Sequence, residues 1–233
     1  MFSHSSNLRL MQRDQAWLAH VARYRLTTVD VVQRLLQPNA SRNAIGKVLR
    51  RLCDAGLLSK YPLLHPTLYY VLGEGGAQAL GIGAHRTVPL GPQSLPMDYG
   101  VLLYATLGNR LRQRITKQEL LDRCGWLPAA LAEAPHCTEI KQSALELVRV
   151  DLGGPADHVA RKCAADLRER EKLREFSTLV NEGRFRLVIV TGTAEKSVAI
   201  RQALNRHEWP EGLRIHLSVV SQLLPLTARR PHA

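Results

Sequence analysis

Several residue types are scarce in this 233-residue chain, and each scarcity excludes a class of function. Aromatic residues make up only 5%, which disfavours a surface that stacks the bases of single-stranded nucleic acid. The four cysteines, Cys53, Cys124, Cys137 and Cys163, form no tight pair. Neither a disulfide framework nor a four-ligand zinc site is therefore expected, and we predict reduced thiols that pack in the core.

Long apolar runs are also missing. The longest mostly apolar stretch lies near residues 101–107 and is far shorter than the roughly 20 residues that cross a bilayer. Residues 1–7 are polar, which argues against a secretory signal. We therefore expect a cytoplasmic protein without a membrane partner.

Acidic residues are few relative to basic ones. There are 32 Lys and Arg against 20 Asp and Glu, a formal net charge of +12. Such an excess favours a polyanionic partner. With 45% hydrophobic residues the chain can bury a core, and its length fits one to two domains.

The first 82 residues predict three helices. Helical periodicity covers residues 12–24. Thr27 and Asp30 have capping-box spacing before a second helix, which ends at Pro38. Ser41 is expected to cap a third helix over 42–55.

A hairpin and a short helix follow the third helix. Residues 57–61 and 67–72 are predicted strands on either side of a turn at 62–66, and residues 75–80 form a short helix. Three helices followed by a hairpin is the order of a winged helix-turn-helix. Residues 1–82 carry ten Lys or Arg and four Asp or Glu, a net charge of +6.

The sequence therefore predicts a double-stranded DNA-binding domain over residues 1–82. The third helix would enter the major groove, and the hairpin would reach the backbone or the minor groove. The predicted DNA-binding residues are Ser41, Arg42, Asn43, Lys47, Arg50, Arg51, Lys60 and His65.

The middle of the chain predicts a linker and a second basic region. Residues 83–97 are rich in Pro and Gly and form the predicted linker. A helix is expected over 97–112, and Thr116 and Glu119 have the spacing of a capping box. A basic cluster is either a helix end decorated with cations or a set of secondary DNA contacts. Its members are Arg110, Arg112, Arg114 and Lys117.

Residues 98–226 predict an α/β domain. Strands at 144–151, 185–191 and 213–219 alternate with helices over 156–182 and 193–206, which favours a mostly parallel sheet. Residues 227–233 are expected to be a flexible basic tail.

One glycine stands between the second of these strands and the helix after it. Thr191-Gly192-Thr193 could cradle a phosphate at the helix N-terminus, but an ordinary helix cap is the favoured interpretation.

A resemblance extends over most of residues 10–207. Its pieces are Pro135-His136, Glu146 to Asp151, the helix from Ala156, and Val188-Ile189-Val190-Thr191. With them the chain resembles the bacterial replication-relaxation family of plasmids and integrative elements. The resemblance implies a winged helix followed by a restriction-endonuclease-like domain, similar to the PD-(D/E)xK nucleases.

The nuclease pattern is incomplete in this chain. Position 136 is His where the pattern has Asp, and neither Glu146 nor Asp151 is followed two residues later by Lys. Only Glu139-Ile140-Lys141 has that spelling, which is common by chance. Such a nuclease needs clustered carboxylates for Mg²⁺ and a Lys near the attacking water. We therefore expect no catalytic residue, no metal and no cofactor.

The predicted function is sequence-specific binding of double-stranded DNA by a homodimer at the bacterial nucleoid. Its role would be transcription regulation or maintenance of a plasmid or other mobile element, and the C-terminal domain would dimerise or bind a protein partner. Two alternatives stay open: a diverged metal-dependent nuclease, and an adaptor whose winged helix docks protein in a conjugation or replication complex.

Overall fold

The chain divides after Pro89 into two compact units. The structure, a computed structural model, describes residues 11–107, 112–140 and 144–228. Each unit has its own helices, its own sheet and its own hydrophobic core, so the chain is a mixed α+β protein. No helix in the described ranges is long and apolar enough to cross a membrane.

The first unit consists of helices and one antiparallel hairpin. Its elements are α1 (Gln12–Tyr24), α2 (Val29–Leu35), α3 (Arg42–Asp54), β1 (Leu58–Leu64), β2 (Thr67–Leu72) and α4 (Glu74–Ala79). Trp17 and Leu18 of α1, Val32 of α2, Leu49 of α3 and Leu58 of β1 meet in one core. The predicted bounds of α1 and β2 are confirmed.

The second helix begins one residue later than its capping-box spacing predicts. Thr28 is the N-cap, and its hydroxyl accepts a hydrogen bond from the backbone N–H of Val31 at 3.3 Å. Thr27 instead exchanges two backbone hydrogen bonds of 2.9 Å with Tyr70 of β2. Because Thr27 extends the hairpin, its backbone is unavailable as a helix cap.

The second unit is built on a five-stranded mixed sheet in the order β3-β4-β5-β6-β7. Its elements are α5 (Ser94–Thr106), β3 (Arg112–Ile115), α6 (Lys117–Arg123), β4 (His136–Glu139), β5 (Leu145–Val150), α7 (Ala156–Glu171), α8 (Arg174–Asn181), β6 (Phe185–Thr191), α9 (Ala194–Leu204), β7 (Arg214–Val219) and α10 (Leu224–Thr227).

The sheet is parallel in one half only. Strands β5, β6 and β7 are parallel, with helices between them, as the alternation of strands and helices predicts. Strands β3 and β4 add an antiparallel half, so the prediction of a mostly parallel sheet is confirmed only in part. The antiparallel half was missed because both of its strands have only four residues.

Helices cover both faces of this sheet. Leu147 of β5 and Ile189 of β6 point to the face where α7, α8 and α9 supply the core. Residues of the opposite parity point the other way, where Tyr104 and Gly100 of α5 meet Glu146 and Val150.

The helix predicted over 97–112 lies earlier in the chain. It begins at Ser94, inside the predicted linker, and ends at Thr106. Pro96 does not prevent this start, because a proline in the first helical turn removes no intrahelical hydrogen bond. Arg112, expected at the end of the helix, begins β3 instead.

The long helix predicted over 156–182 is two helices. Helix α7 ends at Glu171 and α8 starts at Arg174. The break brings Phe176 of α8 against Phe185 of β6, with ring centroids 4.8 Å apart. No Gly or Pro marks this break in the sequence, so the helical pattern runs through it.

Candidate nucleic-acid interface

Helix α3 has one buried face. Ile45, Leu49 and Leu52 are each at most 2% exposed and recur at the spacing of one helix face. Ser41 starts the helix, because its hydroxyl accepts a hydrogen bond from the backbone N–H of Ala44 at 3.2 Å. The cap and the apolar stripe together fix which side of α3 points outward.

The opposite face of α3 carries three exposed polar side chains. Asn43, Lys47 and Arg50 are exposed and follow one another at intervals of four and three residues, so they lie along one line of the helix. No side-chain hydrogen bond or ion pair joins any of them to another residue in the described part of the chain. These three side chains are available to a partner.

The other residues predicted on α3 have partners inside the first unit. Arg42 pairs with Asp30 of α2. Arg51 lies 2.6 Å from Asp14 of α1, whose side chain is only 4% exposed. These two ion pairs join α3 to α2 and to α1, and the hydroxyl of Ser41 caps the first turn of α3.

The two predicted DNA-binding residues of the hairpin lie in different parts of it. Lys60 is exposed in β1, directly opposite Tyr70 of β2, and His65 is exposed in the turn between the strands. Burial raises the pKa of Tyr70, and the cation of Arg50 opposes that rise. Arg50 of α3 therefore lies near the strand residue that faces Lys60.

A thiol lies in the same region. Burial raises the pKa of Cys53, and the cation of Lys60 opposes that rise. Cys53 belongs to α3 and Lys60 to β1, so the end of α3 and the start of the hairpin are adjacent. Asn43, Lys47 and Arg50 of α3 and Lys60 of β1 are all exposed, and we call these four residues the basic surface.

The secondary basic cluster has a different environment. Arg112 lies 3.3 Å from Glu146 and over the ring of Tyr104 at 4.5 Å, and its side chain is 9% exposed. Arg114 lies 2.9 Å from Asp98, with 14% of its side chain exposed. These side chains are held by carboxylates inside the second unit, and we do not include them in the interface.

A third member of that cluster, Lys117, is exposed but also has a carboxylate partner. Lys117 pairs with Glu133, and Thr116 caps α6 in the capping box that its spacing with Glu119 predicts. Arg110 lies outside the described residues.

Two glutamates of the second unit are paired with an arginine. Glu139 lies 3.1 Å from Arg186, and Glu146 lies 3.6 Å from the same guanidinium. The hydroxyl of Tyr104 donates to Glu146 at 2.9 Å, and burial together with that carboxylate raises the pKa of Tyr104. Within the described ranges no three His, Cys, Asp or Glu residues form a group that could hold a metal ion.

His136, at the position where the nuclease pattern has Asp, is buried. Its Nδ1 donates to the carbonyl of Ala134 at 2.7 Å. Burial and the nearby cation of Arg170 lower its pKa to about 3. The imidazole is therefore neutral at pH 7, and His136 faces the side of the sheet opposite to Glu146.

The Thr191-Gly192-Thr193 segment is a helix cap. The hydroxyl of Thr193 accepts from the backbone N–H of Lys196 at 3.1 Å, and the ammonium of Lys196 binds the carbonyl of Gly154. Asp151 and Thr191 line a cavity of about 240 Å³ beside this cap. The carboxylate of Asp151 makes the cavity a poor host for a phosphate.

The four cysteines are free thiols. Burial raises the pKa of Cys137 and that of Cys163 to about 12, so both stay protonated and are poor nucleophiles.

Comparison of the chain with protein-family models, with curated proteins and with solved structures found no match.

The sequence predicted the exposed residues of α3. It did not predict which of them form ion pairs with the rest of the first unit and which do not. The partners of Arg42 and Arg51 lie 12 and 37 residues away in the chain, and spacing within α3 says nothing of them. One local signal was available and was not used: Asn43, Lys47 and Arg50 lie opposite the apolar stripe, whereas Arg42 and Arg51 lie at its borders.

Proposed function

We propose that this protein binds double-stranded DNA through a winged helix formed by its first unit. The observation that carries the proposal is the outward face of α3, where the side chains of Asn43, Lys47 and Arg50 are exposed and make no hydrogen bond or ion pair with the described residues. An α-helix fits the major groove, and these side-chain types are suited to base edges and phosphates.

The three side chains have different chemistry. Asn43 can bond adenine and Arg50 can bond guanine, each in a two-hydrogen-bond geometry. Lys47, a flexible point charge, is suited to a phosphate. The mixture supports sequence-specific binding, because phosphate contacts alone carry no sequence information.

The hairpin adds contacts beside the groove. Lys60 is the member of the basic surface that the hairpin supplies, and His65 is exposed in the turn at the tip of the hairpin. In a winged helix the hairpin is the wing, so we assign Lys60 and His65 to the sugar-phosphate backbone or the minor groove next to the helix.

The second unit has a supporting role in this proposal. Pairing of Glu139 and Glu146 with Arg186 supports a non-catalytic domain, since those carboxylates already have a cationic partner. We propose that this unit dimerises the protein or binds a protein partner. The setting would be the nucleoid of a bacterium, in transcription control or mobile-element maintenance by a member of the replication-relaxation family.

DNA binding measured at several salt concentrations tests the proposal. Each phosphate contact contributes about 0.9 to the slope of log affinity against log salt. Lys47→Ala should reduce that slope by about one, whereas the control Lys162→Ala, an exposed lysine of α7, should leave it unchanged. Affinity that is indifferent to salt, to Lys47→Ala and to Arg50→Ala would support the adaptor alternative.

A nicking assay tests the nuclease alternative. Plasmid DNA is incubated with the protein and Mg²⁺ or Mn²⁺. We expect no cleavage above background. Cleavage that disappears in Asp151→Ala and in Glu146→Gln would overturn the assignment of a non-catalytic second unit.

A further inference from the structure

Gly46 of α3 is half-exposed and lies at the side of the line formed by Asn43, Lys47 and Arg50. It is three residues after Asn43 and four before Arg50, with Lys47 beside it, so these four positions form one patch of the helix. A glycine in a helix interior is less favourable than alanine, because its backbone loses more freedom on folding. Its place in α3 therefore calls for a reason.

Contacts inside the chain explain other helical glycines. A Cβ at Gly76 of α4 would lie 2.1 Å from the carbonyl oxygen of Leu57, and one at Gly100 of α5 would lie 2.8 Å from a methyl of Val150. A Cβ at Gly75 of α4 would also be close to its neighbour, at 3.3 Å from the carbonyl oxygen of Gly56.

Gly46 has no such neighbour. A Cβ built on it meets nothing within 4 Å, and among the helical glycines of the described ranges only Gly46 has this open space. The described part of the fold therefore has room for a side chain at position 46, and no contact within it accounts for the glycine.

We propose that Gly46 is a specificity-determining position, at which the bare backbone of α3 approaches the floor of the major groove. The inference rests on the proposed function and adds the point of closest contact. Asn43 has a short side chain, so its amide reaches an adenine edge only if the helix axis lies deep in the groove. A methyl group at position 46 would hold the helix away from the bases and break that contact.

The test compares protein stability with DNA affinity in the full chain. The probe is a short fluorescein-labelled duplex that the unmodified protein selects from a random-sequence pool, and binding is followed by anisotropy. Gly46→Ala should raise the midpoint of thermal unfolding of the first unit by roughly 4 °C and lower affinity for the selected duplex about tenfold or more. Gly46→Leu should abolish the preference for the selected over a random duplex.

Gln78→Ala is the matched control. Gln78 is exposed on α4 of the same unit, so its replacement also favours a helix but lies outside α3. It should raise the unfolding midpoint slightly and leave affinity within twofold.

The outcomes separate this inference from the proposed function. If Gly46→Ala and Gly46→Leu bind as tightly as the unmodified chain while Lys47→Ala binds more weakly, the assignment of Gly46 is wrong and DNA binding stands. A Gly46→Ala protein that unfolds more easily would reveal an intramolecular need for glycine and would also overturn the inference. If no duplex is selected from the pool, or if Lys47→Ala and Arg50→Ala have no effect, the proposed function fails.

Discussion

Two neighbouring arginines of α3 have opposite roles. Arg51 lies 2.6 Å from the carboxylate of Asp14, which is nearly buried. Arg50, one residue earlier, is exposed, and its guanidinium makes no hydrogen bond or ion pair with a described residue. Arg51 therefore supports the fold, whereas Arg50 is assigned to DNA binding in the proposed function.

This division predicts different effects for the two alanine variants. Arg51→Ala should lower the free energy of unfolding by about 1–3 kcal/mol, because it leaves the buried carboxylate of Asp14 with a poorer partner. Arg50→Ala should leave stability nearly unchanged and weaken binding to the preferred duplex by about 1–3 kcal/mol. Chemical denaturation and anisotropy measure the two quantities, and a reversed pattern would contradict the assignment.

A buried histidine makes the first unit sensitive to acid. Burial and the nearby cation of Arg23 lower the pKa of His20 from 6.5 to about 4, and its Nε2 is hydrogen-bonded to the hydroxyl of Thr27 at 3.0 Å. As pH falls below 6.5 the unfolded chain gains a proton at His20 and the folded chain does not. The contribution of His20 to the free energy of unfolding is therefore complete above pH 6.5, and it is lost as the pH falls towards 4.

The contribution of His20 is on the order of 3 kcal/mol over that window. Denaturation of the first unit at a series of pH values should show this loss, and His20→Gln should flatten the curve between pH 6.5 and 4. An unchanged pH profile in His20→Gln would show that His20 is not the source.

At the level of elements, local sequence signals predicted what local interactions decide. The bounds of α1, β2 and β6 follow from periodicity and from an apolar run flanked by turn residues. The two predicted capping boxes have different outcomes, because one depends on local interactions and the other does not. Thr116 caps α6 as predicted, whereas Thr27 is recruited by a strand more than 40 residues later in the chain.

Elements that depend on distant partners were missed. Strand β3 reads Arg-Gln-Arg-Ile, which resembles a solvated basic segment. Its arginines are nevertheless turned inward, because Glu146 and Asp98 pair with them. A single sequence does not show which carboxylate meets which arginine, so neither the strand nor its burial was predictable. The same limit hid the partners of Arg42 and Arg51 in the candidate interface.

Substitutions at Ser41 test the stability of α3 separately from its proposed contact with DNA. Ser41→Ala removes the hydroxyl that caps the helix and should cost about 1 kcal/mol of stability. Ser41→Asp keeps a capping oxygen, so stability should be retained, but its negative charge should weaken DNA binding through repulsion from phosphate. Equal DNA affinity for Ser41→Asp and the unmodified chain would place the first turn of α3 away from the DNA backbone.

Over the whole molecule, the basic residues fall into two groups: some form ion pairs with carboxylates, and others are exposed. The formal net charge is +12, yet in the second unit Arg112, Arg114 and Arg186 lie within buried or half-buried ion pairs. In the first unit Lys47, Arg50 and Lys60 are exposed. The charge therefore supports DNA binding mainly through the first unit.

A dimer is expected for the whole protein. Sedimentation equilibrium at micromolar concentration should give twice the mass of the 26.0 kDa chain, and the selected duplex should contain two half-sites related by a two-fold axis. A monomer at all concentrations together with a single, asymmetric site would contradict this expectation.

The open contacts of Asn43, Lys47 and Arg50 have a consequence for how the protein can change. Residues that hold no neighbour in place can be exchanged with little effect on folding, and these three include the ones assigned to base edges. A related chain could therefore acquire a new target sequence by substitutions at positions 43, 47 and 50 while Ile45, Leu49 and Leu52 keep the helix in place. Under the proposed function, the residues of α3 that select the DNA sequence are therefore different from the residues that maintain its fold.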